Sequence, residues 1–239
     1  MKRSVDTWLR VALPAILALG LLNPGILAEF NEQKIGKGLN FFSKEQEVEM
    51  GRQYSEELSK KLEIINDPYV SAYVDMIGQK LAAHSLMPDF KYQFRVVNTA
   101  EINAFALPGG FIYINRGLIE KADNESELAG VIGHEIGHVV GRHSTKQMSK
   151  QLLLQGIVMG AGAAIGTKSD TWGGIVSALG GVGAYFASLK FSRNDEREAD
   201  WLGLNDLVRA GYQPQGMVSF FQKLESLSKG SSHGLAFMS

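Results

Sequence analysis

Residues 124–143 read NESELAGVIGHEIGHVVGRH, and the rest of the chain can be arranged around them. Asn124 followed by Glu127 is the pattern of a capping box, which predicts a helix starting here and running on to His143. At about 100° per residue, His134 and His138 point almost the same way. Leu128, Ile132, Ile136, Val139 and Val140 gather on the opposite side as a core-facing stripe. Two imidazoles projecting from a buried helix can grip one metal ion. Glu135 sits about 100° round the helix, where its carboxylate reaches a water beside the metal without ligating the metal itself.

This is the H-E-x-x-H arrangement of zinc peptidases. A chance match, or two histidines satisfied within a core, is the plainer reading, and the surroundings argue against it. Gly130, Gly133, Gly137 and Gly141 fall on one flank beside the histidines, and each costs a helix about 1 kcal/mol against alanine. Close approach of another backbone is the physical reason to accept that loss.

A catalytic zinc wants three protein ligands and an open fourth position, and the motif supplies two. Gly141 stands where the metzincin pattern H-E-x-x-H-x-x-G-x-x-H requires it, but position 144 is Ser144 and His143 is one residue early. In a continuing helix His143 points about 100° away from a 144 side chain. The better third ligand is Glu196, in the helical stretch SRNDEREADWLGLNDLVRAG that Ser192 opens. Asp200 lies at i, i+4 from Glu196, on the same face, and can orient a ligand histidine through its second nitrogen. Glu198, about 200° from Glu196, faces away.

The chain has 239 residues, 45% of them hydrophobic, which suits one domain with a substantial core. A net charge of −1 gives no electrostatic footprint for nucleic acid. Cysteine is absent, which excludes disulfides, thiolate metal sites and lipid attachment through an N-terminal cysteine. Residues 1–28 read as a cleaved signal peptide: Lys2, Arg3 and Arg10 precede an apolar run over 11–22, and Asn23-Pro24-Gly25 breaks it. The run contains Pro14 and is short for a membrane span of about 20 residues, so an uncleaved anchor is the weaker alternative. The mature domain is then 29–239.

Within it, residues 43–65 and 68–85 read as helices. The first buries Val48, Tyr54, Leu58 and Leu62, and the second starts at the cap Asn66-Asp67-Pro68. Residues 92–97, 102–107 and 111–115 read as strands, with Pro108-Gly109-Gly110 as a turn and 116–121 as a short helical turn. Strands leading into a metal-bearing helix predict an α+β fold, a small sheet flanked by helices. Residues 152–166 and 173–189 are rich in Gly, Ala and Val and read as a helical hairpin over the site. At about 25 Å each they are short for a membrane, so membrane association is not favoured. Residues 215–227 form a last helix.

His134-Glu135-Ile136-Gly137-His138, with Ser192-Arg193, Glu196 and Ala199-Asp200 further on, resembles the prenyl-endopeptidase and HtpX family of zinc metallopeptidases. Glu101-Ile102-Asn103-Ala104-Phe105-Ala106, Pro108-Gly109-Gly110 and Asp123-Asn124-Glu125 match as well, and the export signal points to the periplasmic BepA/LoiP-like branch. The resemblance covers roughly residues 41–239. It implies a mostly helical, gluzincin-like metallopeptidase domain with a small sheet beside the H-E-x-x-H helix. It also implies one Zn2+ per chain on His134, His138 and Glu196, with Asp200 behind a ligand. The strand at Asn103 and Ala104 would pair with substrate backbone.

The implied activity is hydrolysis of peptide bonds in unfolded or mis-assembled envelope proteins, with Glu135 as general base and outer-membrane assembly machinery as a possible partner. The rival is a chaperone or assembly factor whose zinc is structural or occluded, and the intact Glu135 argues against it. Chains of this branch continue with Thr-His-Pro and an arginine, whereas this sequence stops at Ser239. It is left open whether the sequence is a fragment lacking that regulatory segment. The branch's helical-repeat domain is not in the sequence, so partner recruitment by such repeats does not carry over.

Overall fold

The computed structural model describes residues 35–154 and 189–230. The expected signal peptide, nearly all of the expected hairpin over 152–189 and the tail after 230 lie outside the described residues. Within them are seven helices and one three-stranded sheet. In chain order these are α1 (Lys44–Ser59), α2 (Pro68–Ala82), β1 (Gln93–Val97), β2 (Ala104–Leu107), β3 (Phe111–Asn115), α3 (Arg116–Lys121), α4 (Glu125–Val140), α5 (His143–Leu154), α6 (Arg193–Arg209) and α7 (Pro214–Gly230). The architecture is the expected α+β one, mostly helical with a small mixed sheet.

The helix starts are set by local chemistry. Ser43 and Gln46 form a reciprocal capping box at α1, and Asp67 caps α2 with Pro68 in its first turn. At α4 the box is only half made. Asn124 accepts from the Glu127 N–H at 3.1 Å, but the Glu127 carboxylate turns to the Asp123 N–H, the Ser219 hydroxyl and the Lys223 ammonium. It thereby ties α7 to the start of α4.

In the sheet β3 is central, parallel to β1 and antiparallel to β2. Alternation along β3 explains why all five of its residues are buried. Ile112 and Ile114 enter the main core with Ile77, Leu81, Ile132, Ile136 and Phe220. Phe111 and Tyr113 enter a second core with Phe42, Met50, Tyr54 and Met148. Helices therefore cover both faces. Of the expected apolar side, Tyr54, Leu58 and Leu62 pack on the second core but Val48 is exposed, and Met50 and Gly51 turn inward in its place, Gly51 against the β2–β3 turn and Phe111.

Helix α4 is central rather than amphipathic, since every residue from Glu127 to Val140 is buried. Its glycine flank is where other backbones come closest. A Cβ on Gly130 would sit 2.6 Å from Met217 Cα in α7, and one on Gly137 would sit 2.5 Å from the Ala199 carbonyl oxygen in α6. Gly203 of α6 faces Gly133, so glycine meets glycine there. Gly141 departs from the pattern, because it faces the ring of His143. The expected continuous helix to His143 is interrupted: α4 ends at Val140, and Arg142 takes a left-handed φ of 55° that starts α5 in a new direction. Arg142 is held by its guanidinium on Glu47 and on the Phe42 carbonyl.

Candidate metal centre

The close contact of α4 with α6 sets the site. His134 and His138 leave α4 one turn apart, and their Nε2 atoms lie 3.0 Å from each other. Oε2 of Glu196, from the first turn of α6, lies 3.5 Å from the first and 3.8 Å from the second. A metal with ligand bonds near 2.0–2.1 Å in tetrahedral geometry needs donor atoms about 3.4 Å apart, so the three atoms are spaced to close on such an ion. The donor chemistry fits too, since two imidazole nitrogens and a carboxylate oxygen are ligand types that zinc takes.

Asp200, one turn after Glu196, is 2.9 Å from His134 Nδ1, which leaves Nε2 of that ring for the metal. Aromatic rings close the sides: Phe221 meets His134 edge-on at 5.4 Å, and Phe191 stacks on His138 at 4.4 Å. Burial disfavours charge on His134, but hydrogen bonding and attraction from Asp200 and Glu196 outweigh it and raise its imidazole well above the usual range. Burial, with the neighbouring His134 charge, pushes His138 well below it.

Glu135 is 6% exposed. Burial pushes its carboxyl up to about 7, and the nearby Glu196 adds to this, while His134 and the Ala106 backbone N–H oppose it. Ala106 belongs to β2, an edge strand of the sheet. Asn115 N–H donates to the Asn103 carbonyl at 3.0 Å, so in the antiparallel alternation Asn103 and Phe105 face β3. The backbone groups of Ala104 and Ala106 face the outer edge of the sheet. The structure thus brings His134, Glu135, His138, Glu196 and Asp200 to one locality, with β2, which carries Ala104, packed against α4.

From the sequence alone, His143 is weighed as a ligand and set aside, and Glu198 is placed on the far face of its helix; neither is given a part in the site. The break at Arg142 returns the His143 ring to the outer nitrogen of His138, 2.8 Å away, and Glu198 lies 2.8 Å beyond on the far nitrogen of His143. Glu198 does face away from the three donor atoms, as expected, but it reaches the site through this histidine. The adjoining Gly141-Arg142, a helix-ending glycine next to a long cation, was the available signal that the helix stops.

Two histidines and a carboxylate around one point, with a buried glutamate beside them, define a metallohydrolase type of centre. The description of peptidase family M48 matches residues 68–237. The chain belongs to that family. Its relatives include the beta-barrel assembly-enhancing protease of Escherichia coli (strain K12), 34% identical over 190 residues, which are 78% of this chain and 39% of that protein. The mitochondrial metalloendopeptidase OMA1 of Arabidopsis thaliana is 30% identical over 228 residues, 88% of this chain and 43% of that one. Metalloprotease YcaL of Escherichia coli (strain K12) is 31% identical over 143 residues, 59% and 54% of the two chains. The matched region therefore spans well under two thirds of each relative's length. Among the described residues no helix is long and apolar enough to cross a membrane.

Proposed function

We propose that this chain is a zinc-dependent endopeptidase that hydrolyses peptide bonds in unfolded or mis-assembled envelope proteins. The observation that carries the reading is the triangle of His134 Nε2, His138 Nε2 and Glu196 Oε2, with sides of 3.0, 3.5 and 3.8 Å, next to the buried Glu135. An N2O donor set of this spacing suits a single zinc ion per chain with one position left open. Zinc held there supplies a Lewis acid that polarises the scissile carbonyl and acidifies an adjacent water.

The chain's own groups do the rest. Glu135, its carboxyl pushed to about 7 by burial, takes a proton from the attacking water and passes it to the leaving amine near neutral pH. Asp200 holds the His134 ring by its outer nitrogen. An extended substrate adds to the edge at Asn103 and Ala104, and the outward N–H and C=O of Ala104 make the pairing bonds. A substrate without stable structure fits this mode, because only an unpaired strand can lie along a sheet edge. Export by a signal peptide at 1–28 would put the domain in the periplasm. One relative is named a beta-barrel assembly-enhancing protease, which makes outer-membrane assembly machinery a partner to test.

The test is metal analysis of the purified chain and cleavage of an unfolded protein such as casein, with and without chelator. One zinc per chain and chelator-sensitive cleavage are expected. Suppressed aggregation of the same substrate without cleavage would favour a chaperone.

A further inference from the structure

The two histidines of the triangle are anchored on their outer nitrogens by different groups. His134 Nδ1 meets a carboxylate, Asp200, at 2.9 Å. His138 Nδ1 meets a second imidazole, Nδ1 of His143, at 2.8 Å. Nε2 of His143 lies 2.8 Å from Oε2 of Glu198, and both residues are buried. The other Glu198 oxygen accepts the Gly36 N–H at 2.9 Å, and the Lys146 ammonium stands 3.4 Å from Oε2.

Hydrogen positions along this chain follow from its two ends. To offer a lone pair at Nε2, where His134 Nε2 also points, His138 must carry its hydrogen on Nδ1. That hydrogen is donated to His143 Nδ1, which must accept it. His143 then carries its own hydrogen on Nε2 and donates it to Glu198, a carboxylate that can only accept. Every link has one donor and one acceptor, and no other placement leaves His138 free to bind a metal.

We infer that His143 and Glu198 are positioning residues that hold His138 in its metal-binding tautomer and ring orientation, as Asp200 does for His134. The inference rests on the reading that His134, His138 and Glu196 hold zinc. It also joins the site to the chain preceding α1, because Gly36 and the Phe41 N–H, bonded to Ser149, fasten that segment over α5 and Glu198. His143, Asp195 and Glu198 have ligand atoms within 4.8 Å of one another, the span of a cation site. Lys146 already supplies positive charge to Glu198, and Asp195 is engaged by the Ser192 N–H and hydroxyl. His143 and Glu198 instead form a hydrogen-bonded relay with His138.

Zinc affinity of the apo chain, titrated against a chromophoric chelator, tests this. His143→Leu should bind zinc about 10–100-fold more weakly, the usual effect of removing a ligand's outer partner. His143→Asn, which restores an acceptor near the Nδ1 position, should recover part of the loss. Glu198→Gln keeps the shape and should still cost about tenfold, and it carries the test if His143→Leu does not fold. In the zinc-loaded protein, ¹⁵N shifts should show His143 protonated on Nε2. Wild-type affinity in folded Glu198→Gln, protonation of His143 on Nδ1 in the zinc-loaded chain, or two zinc ions per chain would each overturn the relay. Failure of the wild-type chain to take up any zinc would instead overturn the ligand set itself, and the relay with it.

Discussion

Gly137 on α4 faces the backbone of Ala199 on α6 so closely that an added Cβ would lie 2.5 Å from the Ala199 carbonyl oxygen and 2.9 Å from its Cα. Ala199 stands between Glu196 and Asp200 on the same helix. The approach that glycine permits is therefore what brings a ligand carboxylate and its neighbour within reach of His134 and His138.

Gly137→Ala should accordingly destabilise the domain, although alanine is the better helix former by about 1 kcal/mol. A carbonyl oxygen in a packed helix cannot yield as a flexible side chain does, and overpacking of this kind costs about 1–3 kcal/mol. A lower denaturant midpoint and weaker zinc binding are expected. A raised midpoint with unchanged zinc binding would mean that the two helices have room to part.

The residues that were legible in the sequence are those whose relations are local. His134, Glu135 and His138 share one helix, so its period sets their directions, and the same holds for Glu196 and Asp200. The glycine flank was legible because its cost in a helix demands a reason, and the strands at 93–97 and 111–115 followed from alternation and turn residues. The break at Arg142 was not legible, because a left-handed arginine is sustained by Glu47 and the Phe42 carbonyl, about a hundred residues away in sequence. With the helix broken, the angular argument about His143 lost its premise. Its ring meets the back of His138, away from the Nε2 atoms. Glu198 was missed for the same reason, since its partner arrives only through that turn.

Glu135→Gln should abolish hydrolysis while zinc stays bound. The amide keeps the size of the side chain, but it cannot take a proton. A loss of at least 10²–10⁴-fold in kcat is the usual scale for a general base. Stoichiometric zinc loss in this variant would make Glu135 a ligand rather than a base. Full hydrolytic activity would show that another group takes the water proton.

Glu196→Ala should strip zinc and activity together, since it removes one of three donors and leaves two histidines. The side chain is 45% exposed, so its removal should cost little fold stability, and thermal unfolding in chelator should match the wild type. Zinc retained at wild-type affinity would transfer the third position to another residue. A large drop in metal-free stability would show that Glu196 supports the fold instead.

Asp206, on α6, is 2% exposed, and its Oδ2 has no hydrogen-bond partner among the described residues. Burial pushes its carboxyl up to about 7 from an ordinary value of 3.8, against a smaller opposing effect of Arg209. A carboxyl raised on folding binds its proton more tightly in the folded state than in the unfolded one. Its ionisation therefore leaves stability unchanged below about pH 4 and lowers it progressively as pH rises towards 7. At about 1.4 kcal/mol per pKa unit the loss approaches 4 kcal/mol at most, less whatever relaxation admits water. Asp206→Asn keeps the shape and abolishes the titration. Denaturant unfolding in chelator should find the variant's advantage small at pH 4.5 and much larger at pH 8. A difference of equal size at both pH values would show that the carboxyl is not titrating within the fold, and that the substitution acts through packing alone.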